Sequence, residues 1–194
     1  HIFIPLTAGG GIRTLDDIKE LLRAGADKVT INTAAVRNPQ FIKEAARAFG
    51  SQCIVVSIEA KLREKDKYEA FTDNGREKTG RDVFDWARQA VELGADEILI
   101  TSIDREGTGN GYDAELIREI AEAVPVPVIA CGGAGSCQHL LQVIQEGRAD
   151  AVCVASIFHY HRLVVLKAMD RFLDEGNIEF IRQSRGTIAY LKDR

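Results

Sequence analysis

IPLTAGGGI at residues 4–12 and VPVIACGGAG at residues 126–135 carry the same phrase: a proline, a run of apolar or small residues, then glycines. Behind each phrase comes an amphipathic stretch, a glycine, the dipeptide Ala-Asp and another apolar run. TAGGGI…GADKVTINTAAV is thus matched by IACGGAG…GRADAVCVASIF. From Gly10 to Ala26 is 16 residues and from Gly132 to Ala149 is 17. The spacing identifies an internal duplication of one strand–helix–strand unit.

Outward from the two copies the alternation continues. Apolar runs rich in β-branched residues lie at 2–8, 28–32, 53–60, 97–103, 126–132 and 151–157, and predict six strands. Between them, residues 14–24, 39–49, 80–93, 114–123 and 137–146 repeat apolar positions at three and four, which predicts helices. Strands apolar on both faces, each followed by a helix, form parallel sheets covered by helices. The fold expected is α/β of the (β/α)8 barrel type, with six βα units in one domain over residues 1–194. The charged segment 61–80, with Asn-Gly at 74–75, is expected to form a β-ribbon insert above the third run, on the active-site side.

The composition excludes several classes of function. The chain is 45% hydrophobic and 28% charged, with a formal net charge of −4, which gives no general electrostatic attraction to nucleic acid or to an anionic membrane. No apolar run is long enough to cross a bilayer, and no charged-then-apolar leader opens the sequence. Cys53, Cys131, Cys137 and Cys153 show no CxxC spacing and read as reduced thiols of a cytoplasmic protein, with no metal site. His139 and His159 have no partner at metal-ligand spacing, Trp86 reads as core, and the charge run at 63–67 reads as a solvated turn.

The duplicated unit suggests anion binding. Glycines just past a strand let the backbone approach a ligand, and their N–H groups, with the start of the next helix, cradle a phosphate. The strand after each run ends in small residues, Asn32-Thr33 in the first copy and Ala155-Ser156 in the second. Two such cradles suggest a ligand held by both ends. Either run alone also reads as a tight βα turn, a reading that two runs in register weaken. Alternate strand residues share a face, so Lys28, Thr30 and Asn32 travel together, as do Val55, Ser57 and Glu59, and Glu97, Leu99 and Thr101. Lys28 and Glu97 begin their strands, at the barrel bottom. Glu59 ends its strand at the top, where a carboxylate is placed to act as general acid or base, or equally to sit in solvent or pair with Lys61. Glu106, with Gly107 and Thr108, could cap a helix or contact a phosphate through backbone N–H groups.

The segments GGGI, ADKVTINTAAV, FGSQCIVVSIEAK, GADEILITSIDREGTGNGYD, IACGGAG and ADAVCVASIFH together resemble the cyclase subunit of imidazole glycerol phosphate synthase, from residue 4 to about residue 165. The related isomerase of the same pathway shares the two phosphate sites but has a different phrase at the strand holding SIDREGT. The resemblance implies a barrel that receives ammonia from a glutaminase partner. With it the barrel splits a formimino ribulosyl carboxamide ribotide bearing two phosphates into imidazole glycerol phosphate and an aminoimidazole carboxamide ribotide, without a cofactor. It implies phosphate contacts at Gly11, Asn32 and Thr33 on one side and at Thr101, Glu106, Gly107, Gly133, Ala155 and Ser156 on the other. It further implies an ammonia gate at Lys28 and Glu97, and a partner-facing Asp27. Two departures stand out. The chain opens within what would be the third strand, so the barrel is expected to be incomplete at its N-terminus and to lack the family's first catalytic aspartate. Glu59 stands at the second catalytic aspartate, its extra methylene moving the carboxylate outward by roughly 1.3 Å. An inactive fragment, a paralogue that aminates another substrate, the related isomerase and a flavin-phosphate barrel enzyme are the alternatives to the cyclase.

Overall fold

The computed structural model describes residues 4–64 and 67–158. The described residues fall into two compact units with the boundary between Val154 and Ala155. The expectations for His159 and for the strand at residues 2 and 3 lie outside the described residues.

The first unit is a curled, parallel half-barrel. Six strands lie side by side in the order β1 (Thr7–Gly9), β2 (Lys28–Ile31), β3 (Ile54–Glu64), β6 (Glu97–Ser102), β7 (Val128–Cys131) and β8 (Ala151–Val152), all parallel. Between them run α1 (Leu15–Arg23), α2 (Thr33–Arg37), α3 (Gln40–Phe49), α4 (Val83–Glu92), α5 (Ala114–Ala123) and α6 (Cys137–Gln145). The upper half of β3 leaves the half-barrel and pairs antiparallel with β4 (Lys67–Thr72), which pairs in turn with β5 (Glu77–Asp82). Asp73, Asn74 and Gly75 make the β4–β5 turn with φ of 54°, 56° and 74°, left-handed values that Asp, Asn and Gly tolerate best.

Strand parity sets the layers. Val29, Ile31, Ile54, Val56, Ile58, Ile98, Ile100, Val128 and Ala130 all point to the convex face and are almost fully buried. Against them pack Ile18 of α1, Ile42 and Ala45 of α3, Trp86 of α4, Leu116 and Ile120 of α5 and Val143 of α6, in one continuous core. Burying each such aliphatic side chain contributes about 1.5–3 kcal/mol before entropy is counted. The other parity faces inward and is half-buried, and it carries Lys28, Thr30, Ser57, Glu59, Glu97, Leu99, Thr101 and Cys131.

Four helices start on side-chain caps. Asp82 accepts from the amides of Phe84 and Asp85, Asp113 from that of Leu116 and Ser136 from that of His139. At α1 the cap is reciprocal: Thr14 accepts from the Asp17 amide while the Asp17 carboxylate accepts from Arg13 and Thr14, both at 2.8 Å. Those two amides hold the Asp17 carboxyl below the usual range.

Several boundaries differ from expectation. The run at 2–8 joins the sheet ladder only from Thr7, because the Leu6 amide is spent on the Asp27 carboxylate, and that at 126–132 only from Val128, because Pro127 has no N–H to donate. The run at 151–157 stops at Val152, and residues 156–158 are helical. The helix expected from residue 80 starts at Val83, since Gly80 and Arg81 belong to the ribbon. Helix α2 went unread because five residues are too few for a periodic pattern.

Candidate active site

The duplication survives in three dimensions with matched bonds. In the first copy Asp27 accepts from the Leu6 amide at 2.8 Å, and in the second Asp150 accepts from the Val128 amide at 2.9 Å. Each aspartate thus clasps the start of the preceding strand, and this aligns Gly10 with Gly132, Gly11 with Gly133 and Thr14 with Ser136. The aspartate of each Ala-Asp pair thereby has a structural role that the sequence spacing signalled without explaining.

The first copy opens onto a cleft of about 710 Å3. Gly10 and Gly11 take φ of 95° and 73°, and among the described residues no atom lies within 4 Å of where a side chain would begin on either. Below them lie Asn32 and Thr33, just past the end of β2, and Ser57 and Glu59 within β3, for Glu59 does not end its strand as expected but stands midway because β3 runs on into the ribbon to Glu64; the ribbon turn at Asp73 and Asn74 closes the far wall. Gly11, Asn32, Thr33 and Glu59, separate in sequence, meet in this cleft. Sequence reading passed over Arg13 and Arg37, which bring positive charge to its lining. Arg13 was within reach of that reading, since it follows the glycine run by two residues.

Glu59 is held by three elements. Its Oε2 accepts from Asn32 Nδ2 at 3.1 Å and from the Gly75 amide at 2.9 Å, so the ribbon turn is tied to the carboxylate. Burial raises its carboxyl above the ordinary glutamate range, and Asp73 adds to the rise, while the bonds from Gly75 and Asn32 oppose it. Lys61 does not pair with Glu59. It bonds Asp104 at 2.7 Å, where Asp104 also accepts from the Leu62 amide. Burial there works against ionisation, yet these bonds leave the Asp104 carboxyl below its usual range. Asn32 spends its amide N–H groups on Glu59 and on the Phe71 carbonyl, leaving Oδ1 buried with no partner among the described residues, as is Thr30 Oγ1 beneath it. A buried acceptor left unpaired costs about 1–3 kcal/mol, a penalty that a bound hydroxyl or amine would remove.

The second glycine run sits differently. Gly132 and Gly133 take φ of 92° and 99°, close to their counterparts, but the β6–α5 loop packs onto them. A Cβ on Gly133 would lie 2.2 Å from the Gly111 carbonyl oxygen, and one on Gly132 3.1 Å from the Glu106 carboxylate. The Gly111 amide donates to the Gly133 carbonyl at 2.8 Å. Thr101, Glu106 and Gly133 therefore gather at one place, with a carboxylate beside the glycines. Gly107 lies in the same loop with φ of 72°. Ala155 and Ser156 belong to the second compact unit, beyond Val154, and Ser156 opens its helical turn.

At the opposite end of the strands Lys28 and Glu97 are joined by an ion pair, both side chains less than a third exposed. Glu97 lies level with Val55 and Thr30 on the inward face, and Lys28 reaches it from two residues lower on β2.

The remaining expectations find these places. Trp86 is buried in the core with the Arg81 guanidinium 4.9 Å above its ring. His139 Nδ1 accepts from the Gly135 amide and packs over Gly111. The four cysteines are free thiols, no described helix is long and apolar enough to cross a membrane, and among the described residues no group of three or more His, Cys, Asp or Glu could hold a metal ion.

Comparison with known families bears on this same duplicated frame, for the match described as Histidine biosynthesis protein runs over residues 1–164 and so includes both glycine units. The chain belongs to the histidine biosynthesis protein family, whose members are (β/α) barrel enzymes of that pathway.

Proposed function

We propose that the protein is the cyclase of imidazole glycerol phosphate synthesis. In this reading it receives ammonia from a glutaminase subunit docked at the barrel bottom and converts the two-phosphate formimino ribulosyl carboxamide ribotide into imidazole glycerol phosphate and aminoimidazole carboxamide ribotide. The observation that carries the reading is the position of Glu59. Its partly buried carboxyl stands midway along β3, where the upper part of the strand turns to the ribbon, beside the open glycine cradle and in the same row of the inward face as Thr101, which leads to the second glycine run. The runs end strands β1 and β7, four inter-strand steps apart. At about 4.8 Å per step this is roughly 19 Å along the curved sheet, suited to a ligand with a phosphate at each end.

In this role Gly11, Asn32 and Thr33 bind one phosphate, and Thr101, Glu106, Gly107 and Gly133 bind the other. Glu59 moves protons as ammonia adds and the ring closes. Its raised pKa favours this role, since a carboxyl that titrates nearer neutrality both gives and takes protons. The Lys28–Glu97 pair supports the cyclase over the isomerase, because an isomerase has no use for ammonia entry at the strand beginnings.

The test is an assay of the full-length protein with ammonia and the ribulosyl substrate, set beside isomerisation of its ribosyl precursor. Release of imidazole glycerol phosphate, reduced at least about 100-fold in Glu59→Gln, is the expected result. Turnover of the ribosyl precursor alone would assign the isomerase instead.

A further inference from the structure

The inward row that begins at Glu59 and Thr101 ends on two thiols. Thr101 is level with Cys131 in the β6–β7 ladder. The β7–β8 ladder pairs Ile129 with Ala151 and Ala130 with Val152, and continues with the Cys153 amide donating to the Ala130 carbonyl at 2.8 Å. Cys131, the last residue of β7, and Cys153, the first beyond β8, are therefore lateral neighbours across this parallel pair, with their thiols on one face. Strand spacing sets their Cα atoms about 4.8 Å apart, inside the roughly 4.4–6.8 Å range that a disulfide spans. Cys131 is half-buried and Cys153 exposed, so small molecules reach the pair. Tyr112 donates its hydroxyl to the Cys153 carbonyl at 2.8 Å and holds this end of β8 in place.

We propose that Cys131 and Cys153 form a redox-active dithiol, closed reversibly to a disulfide by peroxides, beside the second glycine run.

The two thiols have unlike roles. Hydrogen bonding from the Cys153 thiol, aided by the Thr101 hydroxyl and the Gly132 amide, brings Cys131 down to about 7, while burial and the Glu106 carboxylate resist. The same bond to Cys131, with burial, pushes Cys153 up. Cys131 is thus the attacking thiolate. It takes one oxygen of the peroxide, the O–O bond breaks, and a sulfenic acid and hydroxide result. With the charge on Cys131 gone, Cys153 ionises. Its sulfur attacks the sulfenic sulfur, the S–S bond forms, and hydroxide leaves with the proton Cys153 gave up. One peroxide is reduced to two waters and two thiols are oxidised to one disulfide. The disulfide then removes the donor and acceptor that face Thr101 and Gly132.

The test uses the wild-type full chain, reduced, treated with one equivalent of hydrogen peroxide and mapped by peptide mass after alkylation. A linked peptide holding Cys131 and Cys153, with both thiols restored by dithiothreitol, is expected. In Cys153→Ala the reaction is expected to stop at a Cys131 sulfenic acid that dimedone traps. At pH 7 Cys131 of the wild type, which keeps the hydrogen bond from Cys153, is expected to react with peroxide about threefold faster than a free cysteine derivative, the gain in thiolate being offset in part by lower nucleophilicity. Phenylarsine oxide, which bridges neighbouring thiols, is expected to protect both from alkylation in the wild type. Recovery of both residues as free thiols after peroxide, or oxidation of either with no linked peptide, overturns the proposal.

Discussion

Gly10–Gly11 and Gly132–Gly133 hold equivalent places in two copied units, with backbone angles within about 30° of each other, yet one pair borders a cleft and the other lies under a loop. Whatever depends on nearby sequence is the same in both: strand, left-handed glycines, a capped nine-residue helix and an aspartate bonded back to its strand. What differs comes from a third segment. The β6–α5 loop brings Gly109 and Gly111 onto the second run, so glycine there serves close backbone packing as well as turning. At Gly10 and Gly11 glycine serves conformation alone among the described residues, and both line the cleft. A repeated motif thus repeats its local geometry, and its accessibility is set by whatever packs on it.

The sharpest attempt to break this contrast is a pair of matched substitutions. Gly133→Ala meets both a left-handed backbone and a carbonyl oxygen at 2.2 Å, and is expected to cost about 3 kcal/mol or more in a urea unfolding curve. Gly10→Ala meets only the backbone term and is expected to cost about 1 kcal/mol. Equal losses would dissolve the distinction.

Two smaller changes sharpen it. Tyr112→Phe removes the hydroxyl that ties the loop side of the second run to the Cys153 carbonyl, for an expected loss of about 1 kcal/mol by the same measurement. The caps behind the two runs also differ in completeness. Thr14→Ala breaks a reciprocal box and is expected to cost about 1 kcal/mol, whereas Ser136→Ala, losing a single 3.3 Å bond, is expected to cost about half as much. The reverse order would show that the two helices are not anchored as drawn.

The smallest effect concerns the open cleft and pH. Burial raises the Glu59 carboxyl in the folded protein above the ordinary value of 4.5 that it keeps when unfolded. Between those two values the folded state holds more protons, so this residue's contribution to stability falls as pH rises, and it levels off above the folded value. Glu59→Gln removes that fall. Stability of wild type minus variant, measured by urea unfolding at pH 4, 6 and 8, is therefore expected to decrease from the first pH to the last. An increase would mean that the bonds from Asn32 and Gly75 outweigh burial.

Much of this molecule can be read from its residues in order. The parallel βα pattern, the duplicated glycine units, the inward parity of Lys28, Glu59 and Glu97, and the helix bounds to within a residue at α1, α3, α5 and α6 all follow from periodicity, because each depends on side chains one to four positions apart. The limits of β1 and β7 were less legible, since a carboxylate that takes the Leu6 amide and a proline without an N–H end the ladders in ways that apolar runs do not reveal. Long-range pairing lay outside what order along the chain determines. Lys61 choosing Asp104 over Glu59, the Gly75 amide closing on Glu59, the loop over Gly133, and Cys131 level with Cys153 each join residues 16 to 43 positions apart. Their meeting is decided by strand register and loop packing, where a shift of one residue would turn every inward group out.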